Sequence, residues 1–198
     1  MLKENLASYI EKEQKEKGTA LIFEKEKEYL GMTDSDSAEG FTIGNEGDRF
    51  REAYLERGDK ETEEILAEES PDFLEKPISY FREHKREFVY MESRWFDVIG
   101  ADAVSLEVDD VFGNYDIMLG LKLQKKYHKY LKDSLDKELN GSGDAYDLMF
   151  DSGEGIWNLN FSLDALPGFH GGLSVREAYS LVYGFLFKLA EGAQNQQR

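Results

Sequence analysis

Alternation of apolar and polar side chains in the second half of the chain predicts a first β-hairpin. Residues 104–108 and 117–123 alternate in this way on either side of Gly113 and Asn114, which favour a two-residue turn. A register set by that turn brings apolar side chains together on one face of the hairpin. The pairs that it predicts are Phe112 with Tyr115, Val108 with Leu119, and Leu106 with Leu121.

The same alternation predicts a second hairpin over residues 146–150 and 157–163, joined by the turn-rich segment DSGEG. Two hairpins of this kind form a four-stranded antiparallel sheet between about Val104 and Leu163. One face of such a sheet is buried and the other is polar.

Apolar residues at three- and four-residue spacing predict helices elsewhere. The sequence favours helices over residues 2–17, 48–70, 77–99 and 124–139, and a last helix that begins after Ser174. Ser174 with Glu177 matches a capping box, and Gly58 marks a break in the second helix. The predicted fold is therefore α+β: a β-β-α-β-β-α second half against which a helical first half packs, in a single domain of residues 1–198.

The last helix is apolar on nearly every side, which requires burial. Two explanations are consistent with this pattern. Either the helix lies in the centre of the core, or one side packs against a second copy of the chain to form a homodimer.

Charge and composition narrow the possible partners. The 198 residues carry a net charge of −17 and include no cysteine. Such a chain repels nucleic acids and anionic membranes and attracts a basic protein partner. Without cysteine it forms neither disulfides nor thiolate metal sites. The N-terminus lacks the pattern of a signal peptide, so we expect a cytoplasmic protein.

Motifs for catalysis or for a cofactor are weak. The three histidines lie outside metal-binding HExxH patterns, and no serine lies in a GxSxG elbow. We therefore expect no cofactor, and the sequence leaves open whether the chain is an enzyme.

Carboxylates near the end of the first hairpin are a candidate site for a hard cation. Glu107, Asp109 and Asp116 cluster there, and calcium or magnesium prefers oxygen ligands. The simpler interpretation is that these charges keep a strand end soluble.

The polar face of the predicted sheet is a candidate ligand surface. Asn158 and Asn160 lie on it, and His170 lies in the glycine-rich loop PGFHGG. A peptide or a small polar ligand could dock on these residues, although antiparallel sheets commonly leave one face solvated.

Two stretches resemble a known group of proteins. They are DKETEEILAEESPDFLEKPISY, from Asp59 to Tyr80, and WFDVIGADAVSLEVDDVFGNYDIMLGLKLQKKY, from Trp95 to Tyr127. Both are similar to short, acidic, uncharacterised proteins of spore-forming Gram-positive bacteria. Some members carry the label branched-chain amino-acid aminotransferase, a chemistry that needs a pyridoxal phosphate cradle and a Schiff-base lysine. The resemblance implies no catalytic residue in this sequence.

Taken together, the sequence favours a non-catalytic, acidic protein that interacts with other proteins. The alternatives are a small-ligand-binding protein or enzyme that uses the polar sheet face, and a protein that binds a hard cation at the first hairpin.

Overall fold

A computed structural model describes residues 1–33, 40–139 and 145–196. The α-helices are α1 Leu2–Lys17, α2 Glu24–Leu30, α3 Tyr80–Glu83, α4 Arg94–Ile99, α5 His128–Glu138 and α6 Val175–Asn195. The strands are β1 Ala20–Ile22, β2 Phe41–Ile43, β3 Tyr54–Asp59, β4 Ile65–Glu69, β5 Glu87–Glu92, β6 Ala101–Val108, β7 Tyr115–Leu121, β8 Tyr146–Asp151 and β9 Ile156–Ser162. Short 3₁₀ turns cover Glu46–Asp48, Pro71–Glu75, Lys125–Tyr127 and Leu163–Ala165.

Seven of these strands form one antiparallel sheet in the order β4-β3-β5-β6-β7-β9-β8. Strands β1 and β2 form a separate parallel pair. The fold is thus α+β, as the sequence predicts, but the sheet is larger than the four strands expected.

Both predicted hairpins are present and lie side by side. Strands β6 and β7 form the first, β8 and β9 form the second, and β7 pairs with β9. Leu106 and Leu121 are both fully buried on the same face. The proposed separation of an apolar and a polar face is therefore confirmed.

The register of the first hairpin differs from the prediction by four residues. Val108 pairs with Tyr115 and Leu106 pairs with Ile117, because residues 109–114 form a wider loop than the expected two-residue turn. The Asp109 carboxylate accepts the Val111 amide at 3.0 Å, and the Asp109 amide donates to the Asn114 carbonyl at 2.8 Å. A shift by an even number of residues keeps every side chain on its predicted face.

The predicted helical first half is wrong in two places. Residues 48–70 contain strands β3 and β4, and residues 77–99 contain the short helix α3, strand β5 and helix α4. Leu55, Val89 and Met91 are buried in these strands, whose ladders extend the sheet beyond β6. Pairing with neighbouring strands overrides the helical propensity of the many Glu, Lys and Arg residues here.

Helix α6 lies across the inner face of the sheet, and the predicted capping box at its start is confirmed. Glu177 accepts the Ser174 amide at 2.7 Å, and Ser174 accepts the Glu177 amide at 3.2 Å. The Tyr179 hydroxyl reaches the carbonyl oxygens of Val89 and Val104 at 3.1 and 3.2 Å.

Apolar side chains from α1 to α6 form one hydrophobic core on this inner face. Most apolar residues of α6 are buried within the single chain. The apolar character of α6 is therefore explained without a second copy, and a homodimer through this helix stays a prediction.

Candidate functional site

The outer face of the sheet is the surface that the helices leave uncovered. Alternate residues of neighbouring strands align on it, because side chains in a strand point to opposite faces in turn. One aligned row runs across the sheet through Glu56, Tyr90, Ser105, Met118 and Asn160. The polar face predicted from the two hairpins thus continues onto β3 and β5.

A groove of about 290 Å³ lies on this face where β7, β9 and β8 run together below the β6–β7 loop. It is lined by Asp109, Phe112, Asn114, Asp116, Met118, Ala145, Tyr146, Asp147, Asn160, Phe161 and Ser162. We call this the β7–β9 groove. It brings together Asp109, Asp116 and Asn160, three of the six residues that the sequence singled out.

The loop beside the groove exposes two large apolar side chains. Val111 is 80% exposed and Phe112 is 81% exposed. The loop is closed by the Asp109 carboxylate, which accepts the amides of Val111 and Phe112, and by Gly113, whose φ of 72° suits glycine. Because the loop has six residues rather than two, Phe112 projects into solvent and does not pack against Tyr115 as predicted.

Like charges meet at the upper end of the groove. Glu107 on β6 lies directly opposite Asp116 on β7, and both side chains are partly buried. Burial, with nearby Asp109 and Asp164, raises the pKa of Asp116 above its usual value. Burial also raises the pKa of Glu107, although Lys60 counteracts this effect.

Lys60 neutralises part of this negative charge. Its ammonium group donates to the Val108 carbonyl at 2.7 Å and lies 3.3 Å from Asp110 and 3.8 Å from Glu107. Glu107 therefore faces an internal cation, whereas Asp116 forms no ion pair within the described residues.

The three predicted cation ligands are close in the fold but are used differently. Glu107 faces Lys60, and Asp116 lines the groove. The Asp109 carboxylate accepts backbone amides of its own loop. In the described parts of the chain, no three His, Asp or Glu side chains are grouped in a way that could hold a metal ion. The cation site stays a prediction that draws no support from this geometry.

Two of the predicted ligand residues lie outside the groove. Asn158 is on the same sheet face, opposite Gly120, and is exposed, but it does not line the groove. His170 is exposed in the loop that precedes α6 and also lies apart from the lining residues.

Sequence reasoning missed Phe112, Met118, Tyr146 and Asp147 as residues of this site. The alternation of β8 and β9 indicated which side chains share a face, but not that β7 and β9 are neighbours. Asp109 is a sequence signal for the wider loop, since an aspartate carboxylate often accepts the backbone amides two and three positions later.

No helix among the described residues is long and apolar enough to cross a membrane. Comparison of the chain with protein-family models, with curated proteins and with solved structures finds no match. The class that the geometry defines is an α+β protein with helices on one face of an antiparallel sheet and an open, acidic second face. The family resemblance of residues 59–80 and 95–127 stays a prediction.

Proposed function

We propose that this chain is a non-catalytic interaction protein that binds a basic, extended segment of another protein in the β7–β9 groove. The observation that carries the proposal is that the groove carboxylates, which form no ion pair among the described residues, lie next to the exposed apolar tip of Val111 and Phe112.

Charge selects a basic partner. Asp109, Asp116 and Asp147 line the groove, and within the described residues none of them forms an ion pair. Burial, together with nearby Asp109 and Asp164, raises the pKa of Asp116, and a Lys or Arg side chain entering the groove would offset this effect. The net charge of −17 would also speed the approach of a basic partner.

The apolar tip supplies an anchor. Exposed aromatic side chains beside a polar rim are typical of protein-binding surfaces, in which a few large residues contribute most of the binding energy. A partner that covered Phe112 with an apolar side chain and placed a basic one near Asp116 would use both features.

The shape of the groove favours a peptide over a small molecule. Its volume of about 290 Å³ lies just below the range for small-molecule pockets, roughly 300–1,000 Å³. It is also continuous with the open sheet, so a longer segment can lie across it.

Selection from a random twelve-residue peptide display library tests the proposal. We expect enrichment of peptides that combine Lys or Arg with an apolar residue, and weaker binding as salt is raised, since salt screens exposed charges. Addition of a selected peptide should shift the amide NMR signals of residues 109–118, 145–147 and 160–162.

Variants locate the binding surface. Phe112→Ser and Asp116→Asn should each lower the affinity for the selected peptide by about tenfold, which corresponds to about 1.4 kcal/mol. The matched controls on α2, Leu30→Ser and Glu28→Gln, should leave affinity unchanged. Enrichment of acidic peptides, or full binding by Phe112→Ser, would overturn the proposal.

A further inference from the structure

Strand β4 forms one edge of the seven-stranded sheet. It pairs with β3 on one side, and among the described residues no strand pairs with its other side. Its outward backbone groups are therefore available for another strand. Ile65 is 62% exposed and Leu66 is 46% exposed on this edge.

An irregularity in the β3–β4 ladder exposes both apolar residues. Arg57 pairs with Ala67 but Gly58 pairs with Ile65, so Leu66 is an extra residue in β4. Ile65 and Glu68 consequently lie on the same outer face, opposite Gly58 and Glu56 respectively.

The charge along the edge is uncompensated at one position. Glu68 lies directly opposite Glu56 on the outer face, and like charges in this arrangement repel. Within the described chain neither residue forms an ion pair. The Tyr54 hydroxyl donates to Glu56.

We propose that β4 is a second docking edge, distinct from the β7–β9 groove, which receives an extended basic segment of a partner protein as an added strand. Backbone hydrogen bonds to β4 hold the segment, as in other cases of strand addition. A Lys or Arg of the segment lies beside Glu68, and an apolar side chain of the segment covers Ile65.

Charge argues against a second copy of this chain as the occupant. Antiparallel pairing of two β4 strands centred on Leu66 would place Glu64 of one copy opposite Glu68 of the other, and Glu63 opposite Glu69. Each copy also carries a net charge of −17. A basic strand meets the same backbone with attraction in place of this repulsion.

Binding of synthetic peptides tests the proposal directly. A decapeptide of alternating Lys and Val should bind the full-length protein and slow hydrogen exchange at residues 65–69. A decapeptide of alternating Glu and Val should not bind. Glu68→Lys should reverse part of this preference, so that protection of residues 65–69 by the Lys–Val peptide needs about tenfold more peptide.

Matched variants separate this edge from other surfaces. Ile65→Lys on β4 should abolish protection of residues 65–69, whereas Met149→Lys on the opposite edge strand β8, where Met149 is 59% exposed, should not. Phe112→Ser should also leave binding at β4 unchanged. The two proposals are therefore tested separately. A peptide can bind at β4 and not in the β7–β9 groove, or in the groove and not at β4.

Two outcomes would overturn the proposal for β4. One is the absence of any protection of residues 65–69 by the Lys–Val peptide. The other is a dimer of the wild-type protein in analytical ultracentrifugation that Ile65→Lys disrupts, since a second copy would then be the occupant.

Discussion

Arg49 and Glu26 form an ion pair inside the hydrophobic core. The Arg49 Nη1 atom lies 2.9 Å from Glu26 Oε1, and the side chains are 1% and 0% exposed. The Tyr183 hydroxyl donates to the same Glu26 oxygen at 2.6 Å, and Glu46 accepts two further bonds from Arg49. The guanidinium carbon lies 4.2 Å from the ring centroids of both Phe23 and Tyr183. This cluster ties α2 and the 46–48 turn to α6.

We expect Arg49→Met to destabilise the protein by about 3–5 kcal/mol, because it leaves Glu26 buried and charged without its partner. Urea denaturation measures this change. Arg51→Met is the control, since Arg51 is 74% exposed and pairs with Asp48 at 2.9 Å. An exposed pair of this kind contributes about 0–1 kcal/mol. Equal effects of the two substitutions would show that the buried ion pair contributes no more to the free energy of unfolding than the exposed one.

We expect Asp116→Asn to stabilise the fold at neutral pH, by up to about 1 kcal/mol, because it removes a like charge opposite Glu107. Burial raises the pKa of Asp116, so the folded state holds this proton more tightly than the unfolded state. The contribution of wild-type Asp116 is thus favourable at low pH and is lost as pH rises through the raised pKa.

The difference between Asp116→Asn and the wild type should accordingly shrink in acid, as urea denaturation across pH would show. The same substitution should weaken binding in the β7–β9 groove. A variant that is more stable but binds less well is expected where a charge serves function at the expense of stability. Lower stability of Asp116→Asn at pH 7 would contradict this view of the groove.

We expect Glu177→Gln to destabilise the fold at neutral pH by about 0.3–1 kcal/mol, the usual contribution of an acid at a helix N-terminus. The backbone amide of Ser174 lowers the pKa of Glu177, so its stabilising effect is present at neutral pH and is lost as pH falls through the lowered pKa. Thermal unfolding at several pH values tests this. Glu191→Gln, near the C-terminal end of the same helix, should not destabilise the fold.

We expect Gly58→Ala to destabilise by about 1–3 kcal/mol, because the ring of Phe88 lies across Gly58 and would overlap an added Cβ atom. Without this contact, alanine would stabilise a strand relative to glycine. A loss of stability would therefore indicate the overlap with Phe88. The double variant Gly58→Ala/Phe88→Ala should cost less than the sum of the single changes. Strict additivity would argue against the contact.

Part of the candidate site could be predicted from the sequence. Asp109 and Asp116 are predictable as carboxylates near the end of the first hairpin, and Asn160 because alternation places it on the polar face. The sequence predicts that Phe112 points inward, because Gly113 and Asn114 favour a two-residue turn. The wider loop depends on which amides Asp109 accepts, and the alternation pattern carries no information about that choice.

The errors in the first half have a common cause. Strand β5 is only six residues long, Glu87–Glu92, and its apolar run FVYM does not alternate with polar residues. Its apolar residues also match helical spacing over the longer window from 77 to 99. Strands β3 and β4 carry several charged residues, mostly Glu, and only Leu55 and Gly58 among their residues are buried. Short, highly charged strands have little local signal, and partners distant in sequence stabilise them.

The sequence by itself determined the two hairpins of the second half, the faces of their side chains, helix α1 and the capping box of α6. These features depend on residues within about twenty positions of one another, so local spacing is enough to specify them. Only the tertiary structure decided that β3, β4 and β5 extend the sheet, that β7 lies beside β9, and that acidic residues of the β6–β7 loop, β7 and β8 line one groove. Those arrangements depend on pairing between distant segments, in which burial of a shared apolar face outweighs local propensity.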